Sequence, residues 1–141
     1  MIVNRQKKES YTQFLMPLPQ ALLNFLDRLL TSQEGSLLED DFDKLMNLVS
    51  GYASRRAIAA AEVLQQEFRS WRTGQQTNRY RMIAAYGLLV TAIKYEVTGI
   101  FTKPDQWFRV KVSDYELTNP IFIVETNKLA EELKFPGKYK I

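Results

Sequence analysis

The stretch from Tyr80 to Val97 constrains the fold of this chain more than any other part of the sequence. It reads YRMIAAYGLLVTAIKYEV and, drawn as a helix with about 100° between residues, is apolar on almost every side. A helix of this kind needs other helices around it. Its uncharged run, from Met82 to Ile93, is well short of the ~20 apolar residues that cross a bilayer. The stretch therefore predicts a central buried helix within a helical bundle, and no membrane partner.

Length and composition narrow the classes of protein that fit. A chain of 141 residues is typical of one domain, so we expect a single helical domain over residues 1–141. The chain contains no cysteine and no histidine, which excludes disulfide frameworks, the common zinc sites and nucleophiles that use histidine as their base. The first residues, MIVNRQKKES, lack the apolar core of a signal peptide, which predicts a cytoplasmic protein.

Apolar residues at helical spacing predict three further helices ahead of the central one. The first begins at Pro19, and the second begins at Ser36, which can act as its cap. The third is a long helix from Ala53 to Thr73, with Phe68 and Trp71 on its buried side. The short polar loop GQQTN then joins it to the central helix, so we expect these two helices to form an antiparallel hairpin at the middle of the fold.

The C-terminal third has a different pattern. Apolar and polar residues alternate from Trp107 to Val112, and this period of two predicts a short strand-like segment. Such a segment must lie against the bundle, pair within a small hairpin or pair with another chain. Pro120 is a helix-start signal and predicts a last helix from Pro120 to Leu133, although IFIVET also fits a second strand.

The acidic run is the one feature that suggests an enzyme. It consists of Glu39, Asp40, Asp41 and Asp43. These carboxylates fall in the first turns of a predicted helix, where the helix dipole stabilises negative charge without any catalytic role. The isolated glycines form no phosphate-binding loop or nucleophile elbow. We therefore expect no enzymatic activity, no catalytic residue, no metal and no cofactor.

Basic residues are concentrated in the middle of the chain. Residues 51–100 carry seven Lys or Arg against three Asp or Glu. Arginine binds phosphate oxygens with two parallel hydrogen bonds and stacks on bases, so the pattern is typical of nucleic-acid binding. The predicted contacts are Arg55, Arg56, Arg69, Arg72, Arg79 and Arg81, with Lys94, Arg109 and Lys111 as weaker candidates.

Two interpretations of these arginines remain open at the level of sequence. In the first, the arginines beside the GQQTN loop and the free N–H groups at the start of the central helix form an anion-binding tip. In the second, they form ion pairs on a solvated helix face or with acidic partner surfaces, as in a protein-only adaptor or scaffold subunit.

The hairpin RRAIAAAEVLQQEFRSWRTGQQTNRYRMIAAYGLLVTAIKYEV and the start MIVNRQKK carry a resemblance to a known family. A short helical chain without Cys or His, built on an arginine-rich hairpin, resembles the small subunit of CRISPR effector complexes. More specifically, it resembles the separately translated C-terminal part of the large subunit in subtype I-D Cascade. The resemblance is one of overall character, so it assigns no residue by position. It implies a non-enzymatic bundle, present in more than one copy among other effector subunits. Such a bundle holds the crRNA–target duplex or the displaced single-stranded DNA, while a separate helicase-nuclease cuts.

Overall fold

The fold is known from a computed structural model, which describes residues 13–30, 35–75 and 78–141. Residues 13–15 form a helical turn, and a short 3-10 helix spans Gly137–Tyr139. The α-helices are α1 (Leu18–Leu30), α2 (Gly35–Tyr52), α3 (Arg55–Arg72), α4 (Arg79–Thr98), α5 (Pro104–Lys111) and α6 (Tyr115–Glu132). No strand occurs in these ranges, so the prediction of a mainly helical protein is confirmed.

Helix α4 is the central element, as its sequence predicts. Every residue from Met82 to Ile93 is buried, and the helix contacts α1, α3, α5 and α6. The Asn78 side chain caps its start by accepting the N–H of Arg81 at 3.0 Å, and Gly99 ends it with a left-handed φ of 73°. Among the helices that the structure describes, none is long and apolar enough to cross a membrane.

The close approach of α5 to α4 depends on Gly87. A Cβ atom at this position would lie 2.7 Å from Cζ of Phe108, which is fully buried. The Phe108 ring also lies 5.2 Å from the ring of Phe122 on α6 and 6.0 Å from that of Tyr115. These aromatic side chains form a small second core between α4, α5 and α6.

A polar link joins α4 to α5 beside this second core. The indole N–H of Trp107 donates to Oγ1 of the buried Thr91 at 2.9 Å, and Thr91 donates to the carbonyl of Thr102 at 3.1 Å. Lys94 donates to Oγ1 of Thr102 at 2.9 Å and lies 5.1 Å from the Trp107 ring. Because Thr91 is both acceptor and donor, it completes the hydrogen bonding at this junction.

The predicted strand-like segment from Trp107 to Val112 is wrong, because most of it belongs to helix α5. Pro104 occupies the start of this helix, where its missing N–H costs nothing. Pro104, Phe108 and Val112 are buried and spaced by four residues, whereas Val110 is exposed. The alternation in the sequence therefore reflects two turns of an amphipathic helix.

The last helix is present but begins earlier than Pro120. Helix α6 runs over Tyr115–Glu132, with Pro120 inside it. The strand alternative for IFIVET is thereby excluded. Proline lacks the N–H that would bond to the carbonyl four residues before it, so it is tolerated best close to a helix start. Pro120 lies past the first turn, six residues after the N-cap residue Asp114, so it cannot donate to the carbonyl of Glu116, and its exposed ring faces water.

The acidic run has partners within the chain. Glu39 pairs with Arg72 on α3, and Asp41 pairs with Arg28 on α1. These contacts connect α2 to the helices on either side of it in sequence. Within the described ranges, no group of His, Cys, Asp or Glu residues has the arrangement of a metal site.

Candidate nucleic-acid interface

The predicted nucleic-acid contacts of the α3–α4 hairpin lie at its two opposite ends. At one end, the N–H and the hydroxyl of Ser54 donate to the Glu96 carboxylate, each at 3.0 Å, so α3 begins where α4 ends. At the other end, the N–H of Asn78 donates to Glu67 at 3.3 Å. Arg55 and Arg56 therefore lie near Ser54, whereas the predicted contacts Arg69, Arg72, Arg79 and Arg81 lie near the turn of the hairpin.

Arg81 is held by carboxylates from two neighbouring helices. Its Nε lies 3.6 Å from Glu67 Oε1 on α3, and its Nη1 lies 3.0 Å from Glu132 Oε2 on α6. Glu67 also accepts the Asn78 N–H, so a side chain of the protein already lies where the sequence suggested an anion-binding tip. Gln76 and Thr77, within that predicted tip, lie outside the described residues.

Other predicted contacts also have intramolecular partners. Arg72 pairs with Glu39, and its guanidinium carbon lies 5.9 Å from the centre of the Phe68 ring. Lys111 bonds to Asp27 on α1 at 2.9 Å, and Arg109 pairs with Asp105 one turn earlier on α5 at 3.4 Å. Lys94 belongs to the polar link described above. The contacts of Arg72, Lys94 and Lys111 join neighbouring parts of the fold, whereas that of Arg109 lies within α5.

Three arginines on the hairpin remain available to a ligand. Arg55, Arg69 and Arg79 are exposed, and no carboxylate in the described ranges lies within ion-pair distance of them. Arg69 also lines a cavity of about 230 Å³ between α2 and α3, together with Glu39 and Asp43. The three guanidinium groups can bind an anion without first breaking a contact of the fold.

Arg56 presents its charge differently. Its guanidinium carbon lies 5.4 Å from the centre of the Tyr139 ring and 5.8 Å from that of Phe135. It lines a cavity of about 240 Å³, which Glu96 and Tyr95 also line. A cation–π contact uses none of the N–H donors of a guanidinium for hydrogen bonds, so Arg56 is a fourth group that can reach an anion.

Trp71 is more accessible than its sequence position suggests. We predicted it on the buried side of α3 with Phe68, but it is 38% exposed, whereas Phe68 is buried. Its ring centre lies 5.7 Å from that of Phe68. Trp71 therefore places an accessible aromatic surface on the same turn of α3 as Arg69 and Arg72.

Glu96 couples the stability of the hairpin to pH. Desolvation by burial raises the pKa of Glu96 above its ordinary value of 4.5, and the hydrogen bonds from Ser54 and the charge of Arg56 lower it by less. As pH rises above 4.5, the unfolded chain loses this proton before the folded chain does. The contribution of Glu96 to the free energy of unfolding therefore falls as pH rises through this window.

The Glu96→Gln substitution is expected to remove this contribution and to keep the contacts with Ser54. An amide oxygen can accept the Ser54 N–H, and an amide nitrogen can donate to the Ser54 hydroxyl. Relative to the wild-type chain, the variant should become more stable as pH rises from 4 to 7. Urea unfolding at both pH values measures this difference. Glu62→Gln, on the exposed face of α3, is the control, and an unchanged difference between wild type and Glu96→Gln would contradict the expectation.

Comparisons with models of protein families, with curated proteins and with solved structures find no match to this chain. The function must therefore be argued from the chain itself. The arginines of the hairpin could be predicted as contacts from the sequence, because their charge is visible there. The exposure of Trp71 could not be predicted from it. Nor could the sequence distinguish the arginines that pair within the fold from those that remain available.

Proposed function

We propose that this chain is a non-catalytic, nucleic-acid-binding structural subunit of a ribonucleoprotein, of the kind that acts in CRISPR interference. It holds the guide–target duplex or the displaced DNA strand through arginine–phosphate contacts and does not read base sequence. The observation that carries this proposal is the exposure of Arg55, Arg69 and Arg79 on one hairpin, without carboxylate partners in the described ranges. Arg56 supplies a further contact beside Arg55.

The energetics favour the available arginines over the paired ones. Arg81 must leave two carboxylates before it binds a phosphate, and each ion pair that it breaks costs up to about 1 kcal/mol. An available arginine breaks no such contact, so the full gain from releasing the counterions condensed on the nucleic acid drives its binding. Arg79 should therefore contribute more to affinity than Arg81, although they are two residues apart on α4.

Trp71 fits binding that does not depend on sequence. Every base offers a flat face, so stacking on an exposed aromatic ring discriminates little between bases. Trp71 is exposed in the last turn of α3, and its ring lies beside that of Phe68, which Arg72 also contacts. A strand bound at this end of the hairpin can therefore stack a base on the Trp71 ring.

A matched pair of substitutions tests the proposal. Arg79→Gln and Arg81→Gln each remove one positive charge from the start of α4. We expect Arg79→Gln to weaken the binding of single-stranded DNA and to reduce the slope of log affinity against log salt by about 1. Arg81→Gln should leave that slope unchanged and instead lower the free energy of unfolding, because Glu67 and Glu132 lose their shared partner. Equal reductions of the slope would contradict the assignment.

The second candidate function is a protein-only adaptor or scaffold subunit. It is favoured by the intramolecular ion pairs of Arg72 and Arg81 and by aliphatic side chains that α6 leaves in water. Co-purification from the native cells distinguishes the two functions. A particle that contains RNA supports the first, and a hetero-oligomer free of RNA supports the second.

A further inference from the structure

The outward face of α6 carries aliphatic side chains that no described part of the chain covers. Leu117 is 85% exposed, Val124 is 63% exposed and Ile121 is 45% exposed. Their spacing of four and three residues places them on one stripe along the helix. A soluble monomer rarely leaves a contiguous aliphatic surface in water, and such a surface is typical of a contact with another protein.

The two ends of this α6 stripe carry opposite charges. Asp114 is the N-cap residue of α6 and makes no side-chain capping hydrogen bond, and Lys128 lies near the other end. Both are exposed, and neither has an ion-pair partner in the described ranges. Asp114, Ile121 and Lys128 are spaced by seven residues, which is close to two helical turns, so they lie on the same side. The stripe therefore has Asp114 at its start, aliphatic side chains in its middle and Lys128 towards its end, and Glu132, one turn beyond Lys128 on the same side, pairs with Arg81.

We propose that the α6 stripe binds the same stripe of a second copy of this chain, with the two helices antiparallel about a two-fold axis beside Ile121. Asp114 and Lys128 are equally far from Ile121 along the chain. An antiparallel pair aligned there brings Asp114 of each copy opposite Lys128 of the other, and the symmetry forms this ion pair twice. A parallel pair would instead place identical charges opposite each other, which is unfavourable.

Charge complementarity identifies a second copy as the occupant. A surface fitted to a different protein needs no relation between its own two ends, whereas a self-complementary surface needs opposite charges at equal distances from its centre. An interface of standard size buries roughly 800 Å² per partner. Leu117, Ile121 and Val124 supply the apolar centre of such an interface, and the charged ends of α6 supply its rim.

The first test is the mass of the purified full chain in solution, free of nucleic acid, from low to several hundred micromolar. Because it uses protein alone, its result does not depend on the proposed nucleic-acid binding. We expect a reversible dimer that Leu117→Asp converts to a monomer. The control is Ile100→Asp, which makes the same kind of change at a side chain that is 58% exposed outside α6, and it should leave the dimer intact. Circular dichroism verifies that both variants fold.

A charge-reversal pair tests the orientation. Asp114→Lys places like charges opposite each other in its own dimer, and so does Lys128→Asp, so each should weaken self-association by roughly tenfold or more. An equimolar mixture should recover a heterodimer, because both ion pairs are then present, one with its original sign and one reversed. A wild-type chain that stays monomeric overturns the proposal, even if the stripe captures a different protein. Equal effects of Leu117→Asp and Ile100→Asp also overturn it, and so does a mixture that recovers nothing.

Discussion

Gly87→Ala is expected to destabilise the wild-type fold by about 1–2 kcal/mol, although alanine is the better helix former by about 1 kcal/mol. The added Cβ would lie 2.7 Å from Cζ and 2.8 Å from Cε1 of Phe108, which is closer than such atoms approach in proteins. The Phe108 ring is fully buried against Phe122 and has little room to move. The cost of overpacking should therefore exceed the gain in helix propensity.

The same substitution should stabilise the chain once Phe108 is removed. Phe108→Ala is expected to cost about 3–5 kcal/mol, because it leaves a cavity between α4, α5 and α6. In that background Gly87→Ala meets no ring, and its helix propensity should add up to about 1 kcal/mol. Urea unfolding of the two single variants and the double variant measures this double-mutant cycle. If Gly87→Ala has the same sign in both backgrounds, the contact with Phe108 does not set the packing of α5 on α4.

The second large effect is a difference in stability between two Thr→Val substitutions at buried positions. Thr91→Val should lower the free energy of unfolding by about 2–3 kcal/mol, because it leaves the Trp107 N–H and the Thr102 carbonyl without their partner. Thr126 is equally buried, but its hydroxyl has no hydrogen-bond partner in the described structure. Thr126→Val should therefore be neutral or stabilising by up to about 1 kcal/mol.

Thermal and chemical unfolding of both variants measures this difference. The two substitutions change volume and polarity in the same way, so each is the control for the other. Losses of similar size at Thr91 and Thr126 would show that burial of the hydroxyl, and not its hydrogen bonding, determines the result. Such losses would contradict the role assigned to the polar link between α4 and α5.

The central helix was predictable because its signals are local. Helix α4 is apolar on all sides, and the residues that bound it, Asn78 and Gly99, are the types that cap a helix start and end. Helix α5 was missed because it has only eight residues. In so short a segment, the alternation from Trp107 to Val112 fits a strand, while the helical spacing of Pro104, Phe108 and Val112 becomes clear only with the fold.

The positive charge of the candidate interface could be predicted from the sequence, but the ion pairs that its arginines form could not. The arginines of the hairpin are visible in the sequence, but Glu132, which helps to hold Arg81, comes from α6 and meets it only through tertiary packing. Arg79 and Arg81 cannot be distinguished in the sequence, because the carboxylates that pair with Arg81 lie on other helices. The apolar character of α6 is also visible, yet the sequence does not distinguish a helix covered on all sides from one with Leu117 and Val124 in water.

The most direct test of nucleic-acid binding is the salt dependence of the affinity for single-stranded DNA. It compares the wild-type chain with the triple variant in which Arg55, Arg69 and Arg79 are glutamine. We predict that wild-type affinity falls steeply with salt, with little dependence on base sequence, and that the triple variant has a slope smaller by about 2 to 3. A wild-type chain that does not bind at low salt, alone or in its assembled complex, would contradict the proposal. A triple variant with the wild-type slope would contradict it as well.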